Sequence, residues 1–197
     1  MSGAGLLFRS VVALAVLGGL LIGCSRQPAF RGMPLDPPRE LLDFTLRDQF
    51  GQPVRLADLR DRVRVLTFLY TSCPDVCPLV AGKLRRAYEL LEDPSEVAFL
   101  AVTVDPERDT EARVYEYSEQ YGMLDRWQFL IGTHESLQPL WDYYWVGQVS
   151  KEATGSYTVR HTTPIHLIDR RGRIRVVYGN TFRAAELAQD IELLLEQ

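Results

Sequence analysis

Hydrophobic positions follow two patterns along this chain. In Val63–Tyr70 (VRVLTFLY) and Val97–Val104 (VAFLAVTV) nearly every side chain is apolar, and β-branched and aromatic residues are common, which suits strands covered on both faces. Arg64 is the exception in the first run. Elsewhere apolar residues recur every three or four positions, as on one side of a helix. Pro78–Leu91 does so through Leu79, Val80, Leu84, Tyr88 and Leu91, and Glu135–Trp145 turns Leu137, Leu140, Trp141 and Tyr144 inward. Thr110–Tyr121 and Phe182–Leu195 read as further helices, and Trp127–Ile131 as a third strand. Ile165–Ile168 and Ile174–Tyr178 pair about the turn Asp169-Arg170-Arg171-Gly172, while Phe44–Leu46 and Val54–Leu56 form a hairpin turning near Gly51. The sum is an α/β chain with a mixed sheet flanked by helices and an amino-terminal β-hairpin.

The 197 residues, 46% hydrophobic, supply one domain with a core of its own. The amino terminus reads as a targeting segment: Arg9 precedes an apolar run, Val11–Ile22, and no charge recurs before Arg26. That run is short of the ~20 residues that span a bilayer, so a cleaved signal peptide over residues 1–23 is expected. Leu21–Cys24 (LIGC) resembles a bacterial lipobox, which implies lipidation of Cys24 and a membrane-anchored place in the bacterial cell envelope, facing the periplasm or exterior. Cleavage there moves the net charge from −4 to −5, and no basic patch speaks for nucleic acid. Residues 24–39, with four prolines in Ser25–Pro38, read as an extended tether leading to a domain over 40–197.

The remaining cysteines, Cys73 and Cys77, stand in YTSCPDVCP, where the first buried strand hands over to a helix. Ligands collect at that crevice in open α/β folds. If the turn is helical, a spacing of four puts both side chains on one face, which suits either a shared metal or a disulfide. A helix amino terminus also favours the thiolate, the form that binds metals and attacks disulfides. A cysteine pair opening the first main helix gives a thioredoxin-like layout.

Of the three histidines, His161 precedes a strand expected to lie beside the cysteine-bearing one, and in thioredoxin-like folds the loop there faces the cysteines. His166 is expected in a packed face and His134 at a helix start on a different edge. Two thiolates and one imidazole suit Cu(I), and Cu(II) with an added ligand. In VDPERDT, Thr110 or Asp109 is expected to cap the next helix.

TSCPDVCP, VDPERDT, and His161 leading into a strand that ends Leu167-Ile168-Asp169 with Gly172 resemble the Sco/SenC/PrrC copper proteins in order and spacing. The resemblance implies a thioredoxin-like Sco domain, tethered to a membrane, that binds copper through Cys73, Cys77 and His161. It also implies assistance in building the dinuclear copper centre of cytochrome c oxidase, with subunit II and other copper chaperones as partners. Two residues depart from the family's habit: Arg160 stands where an acid is usual, and His166 where an aromatic is frequent. A cation at 160 should disfavour Cu(II). Thr163-Pro164 also lies near the cis-proline position of thioredoxins.

Other readings are a thiol-disulfide reductase using Cys73 and Cys77 as a redox pair, a peroxidase, and a binding module presenting Trp141, Tyr143, Tyr144 and Trp145. The reductase has against it three intervening residues rather than two, together with His161.

Overall fold

The two uniformly apolar runs become the central strands. A computed structural model describes residues 29–146 and 162–197; Cys24 and His161 therefore lie outside the described residues. Strands β1 (Met33–Glu40), β2 (Thr45–Arg47), β3 (Pro53–Arg55), β4 (Val63–Leu69), β5 (Val97–Thr103), β6 (Gln128–Leu130), β7 (Ile165–Ile168) and β8 (Arg173–Tyr178) alternate with four helices. These are α1 (Val76–Tyr88), α2 (Glu111–Gln120), α3 (His134–Tyr143) and α4 (Ala184–Leu195). The main sheet runs β1-β8-β7-β4-β5-β6, with β2-β3 as a separate hairpin.

β4 and β5 pair in parallel and are buried at every position, as a strand with protein on both faces must be. β7 lies antiparallel on the other flank of β4, which makes the sheet mixed. β8 alternates buried and half-buried residues, one face inward and one toward water. The Asp169–Gly172 turn forms as expected, with Gly172 at φ 85°, and α1 packs against α4.

The expected tether is revised first. Met33–Glu40, read as the end of a tether, is the sheet's edge strand, antiparallel to β8. Its prolines are tolerated because an edge strand needs hydrogen bonds on one side only, and the register shifts between Pro34 and Arg39. The preceding residues are fastened down: buried Asp190 accepts the Arg31 and Gly32 amides at 2.9 Å, and the Tyr178 hydroxyl. Gly32 is needed there, because a Cβ would meet Val176 at 2.5 Å. Among the described residues the cis peptide is Asp36–Pro37, not Thr163–Pro164, and no helix is long and apolar enough to cross a membrane.

α1 begins at Val76, two residues before the expected Pro78. Proline fits the first turn, where its missing N–H has no helical partner to lose. α3 stops at Tyr143, because Trp145 takes φ 57°. Trp141 and Tyr144 are core residues and Trp145 is exposed, so the four-aromatic presenting face does not exist.

Candidate metal centre

β4 delivers Tyr70 to the end of the sheet, and Thr71–Asp75 loop into α1. Cys77 is therefore in the first helical turn and buried, whereas Cys73 is in the loop before it and half-exposed. They are not on one helical face. The loop instead turns back so that the Cys77 amide donates to Cys73 Sγ at 3.4 Å. Asp75, at the N-cap position, makes no side-chain cap; the sulfur stands near the open amides that a cap would serve.

The electrostatics split the pair. The hydrogen bond from the Cys77 thiol, aided by the Asp75 and Cys77 amides and the Tyr70 hydroxyl, holds Cys73 down to about 5 against the effect of burial. Sharing that proton with Cys73, and burial, push Cys77 up. The pair thus rests as one thiolate and one thiol, both free of a disulfide. Burial, with the hydrogen bond to Cys73, also raises Tyr70, so its proton stays in place to donate.

Asp109 supports the loop from below. One oxygen accepts Thr71 N at 3.1 Å and Thr71 Oγ1 at 2.6 Å, and the other accepts Thr103 Oγ1 at 2.6 Å. This ties the cysteine loop to the carboxyl end of β5. The helix cap is Thr110, which accepts from Arg113 N. Sequence reasoning placed Asp109 at the helix start and missed the clamp; the nearby Thr71 and Thr103 were the only signal, and they become neighbours only when β4 and β5 pair.

Cys73 opens on a 770 Å³ cleft shared with Met33, Tyr70, Val76, Thr162, Pro164 and Tyr178. Thr162 is held by its amide to Val146 O at 2.8 Å and its hydroxyl to Trp145 O at 2.6 Å. Among the described residues no cluster of three or more His, Cys, Asp or Glu side chains assembles to hold a metal. His166 is in the packed face as expected, fully buried, with Nε2 3.1 Å from Tyr144 O. His134 starts α3 against Trp141. Two sulfurs, one already ionised and near the surface, fit a soft thiophilic cation by donor chemistry.

Comparison with known proteins agrees with this layout. The family model described as SCO1/SenC matches residues 34–196. The mouse mitochondrial protein SCO2 homolog is 31% identical over 156 residues, covering 76% of this chain and 60% of its own length. The chain thus spans about three fifths of that relative. The apo Sco1 protein of Thermus thermophilus superposes with a TM-score of 0.73 at 30% identity, over 88% of this chain and all of that one. Copper-bound ScoI of Bradyrhizobium japonicum gives a TM-score of 0.66 at 30% identity, over 78% of this chain and 98% of its own. The family match begins in β1 and ends just past α4, taking in the cysteine loop, its Asp109 clamp and the whole main sheet: the chain belongs to the SCO1/SenC family.

Proposed function

We propose that this protein binds copper as cargo through Cys73, Cys77 and His161 and assists assembly of the dinuclear copper centre of cytochrome c oxidase, with subunit II as its target. The observation that carries the copper reading is the cysteine pair itself. One sulfur is held as a thiolate by its neighbour's thiol and by helix-end amides, at the mouth of a cleft. Copper-bound ScoI, 30% identical, supports it. Support for His161 is covalent adjacency: Thr162, the next residue, lines the same cleft as Cys73. Cu(I) is the favoured state, since two thiolates and an imidazole suit a soft ion of low coordination number, and a cation next in sequence to the ligand histidine, Arg160, disfavours Cu(II). The oxidase-assembly role rests on family membership. Lipidation at Cys24, and with it a membrane-anchored place in the bacterial envelope, rests on the LIGC sequence.

The second reading is thiol-disulfide exchange, favoured by the split between the two cysteines. Cys73 as the thiolate would attack a partner disulfide, and Cys77 would resolve the mixed disulfide, leaving the partner reduced and this pair oxidised. Titration of the reduced chain with Cu(I) against a competing chelator separates the two. One equivalent bound tightly, lost in Cys73→Ala and weakened in His161→Ala, is the expected result. Unchanged binding in His161→Ala removes that ligand, and no binding by the wild type leaves the reductase reading.

A further inference from the structure

At the amino end of β4, the far end of the strand from the cysteines, Arg64 is fully buried. Its Nε donates to Leu59 O at 2.8 Å and its Nη2 to Arg170 O at 3.4 Å, while Nη1 has no hydrogen-bond partner. Asp169, Asp61 and Asp43 act on Arg64 by charge, but none accepts a hydrogen bond from it: Asp169 takes Arg173 and Arg175, and Asp43 takes Arg55. A buried guanidinium with an open donor is costly unless something fills the place.

The surroundings say what would fill it. Each carbonyl that holds Arg64 belongs to the residue just before another arginine, Arg60 after Leu59 and Arg171 after Arg170. Arg64 therefore braces two segments whose next residues are exposed cations, and no ion pair holds Arg60 or Arg171 among the described residues. Arg55, Arg60, Arg64 and Arg171 line one 370 Å³ cleft, with Glu40 as its acid. Gly172 forms part of the wall: a Cβ there would stand 3.8 Å from Arg64 Nη1 and 3.1 Å from Leu41 Cδ2. Setting aside the Arg55–Asp43 pair, three guanidinium groups face one carboxylate.

We propose that this cleft is a binding site for a phosphate-class oxyanion, held by Arg60 and Arg171 from its two rims and by Arg64 from its floor. Guanidinium groups arriving from three segments match a tetrahedral anion with several acceptor oxygens better than a planar carboxylate, which one Arg fork already satisfies. The site is remote from the cysteines and independent of the copper reading.

Thermal unfolding of the reduced chain at constant ionic strength tests it, with chloride exchanged for inorganic phosphate or for short-chain phosphatidylglycerol below its micelle concentration. The wild type should gain roughly 5–10 °C at a hundredfold excess over Kd. Arg60→Ala/Arg171→Ala, changed only at exposed positions, should keep its melting point in chloride and lose the gain. Arg64→Met, which also removes the bonds to the Leu59 and Arg170 carbonyls, should melt lower than the wild type in chloride and gain less from phosphate. A gain with phosphate alone assigns a free anion, with the lipid alone a headgroup, and with both the shared site. No saturable gain in the wild type, or an equal gain in the double variant, overturns the proposal; if Arg64→Met does not fold, the double variant decides.

Discussion

At the carboxyl end of β4, Asp109 is a buried carboxylate whose two oxygens collect three donors. At the amino end, Arg64 is a buried guanidinium with one donor unused. The first arrangement is closed and fixes the loop that carries Cys73; the second is open and faces a cleft lined by further cations. Burial alone therefore does not tell these two ends apart: the completeness of their hydrogen bonding does. A satisfied group holds a shape, and an unsatisfied one asks for a partner.

The sharpest way to break that contrast is at the sulfurs the closed end supports. Structural Zn²⁺ in zinc-finger peptides, a four-ligand site, binds with about 10–16 kcal/mol, so one ligand is worth several kcal/mol. Replacing Cys77 by Ser should thus weaken Cu(I) binding by roughly a hundredfold or more, read by chelator competition. An affinity within a few fold of wild type would take Cys77 out of the site.

Asp109→Ala should cost on the order of 2–4 kcal/mol in denaturant unfolding, since Thr71 N and two hydroxyls lose their acceptor below the surface. It should also loosen Cys73 and lower Cu(I) affinity, whereas Asp109→Asn keeps most of the stability. A loss no greater than that of an exposed Asp would mean that the clamp is not closed.

Between the two ends, His166 on β7 faces Leu66 of β4 in register, and burial lowers its pKa to about 4 from the usual 6.5. The unfolded chain takes up a proton below pH 6.5 while the folded chain does not until about pH 4. Stability from this residue is therefore intact above pH 6.5 and lost as pH falls toward 4, by on the order of 3 kcal/mol. His166→Phe should flatten that part of the stability profile; an unchanged slope would place its origin elsewhere.

Alkylation of the metal-free chain compares the two cysteines with each other. Cys73 should stay reactive down to about pH 5 and fall off below it, and Cys77 should react slowly at neutral pH because it is buried and protonated. Equal rates, followed by mass spectrometry of the peptides, would contradict the split. The smallest effect belongs to the exposed Arg170–Glu96 pair beside the open end, where Glu96→Gln should cost less than about 1 kcal/mol.

What was legible in the sequence tracks how local the cause is. β4, β5 and the hairpin around Gly51 follow from runs and turns a few residues long, and the cysteine loop from its place between a strand and a helix. β1 was hidden because four prolines signal a free linker unless a neighbouring strand asks for bonds on one side only, and that neighbour, β8, is more than 130 residues away. Asp109 and Arg64 were visible as an acid and a cation, but their roles depend on partners brought in by the sheet: Thr71 and Thr103 for one, the Leu59 and Arg170 carbonyls for the other. Pro78 misplaced the start of α1 because a proline in the first turn and a proline at its boundary look alike in sequence.

The direction of β1 has a mechanical meaning. It begins at Met33, opposite Val177 and on the wall of the cysteine cleft, and runs away from it. With Arg31 and Gly32 pinned to Asp190 just before it, any pull from upstream is felt at the cysteine end and not at the arginine end. Six residues separate Cys24 from Arg31, and the seven Cα steps between them can stretch to at most about 25 Å. An anchor at Cys24 would thus act as a short leash, letting the domain swivel while keeping the sulfurs close to the surface that holds it.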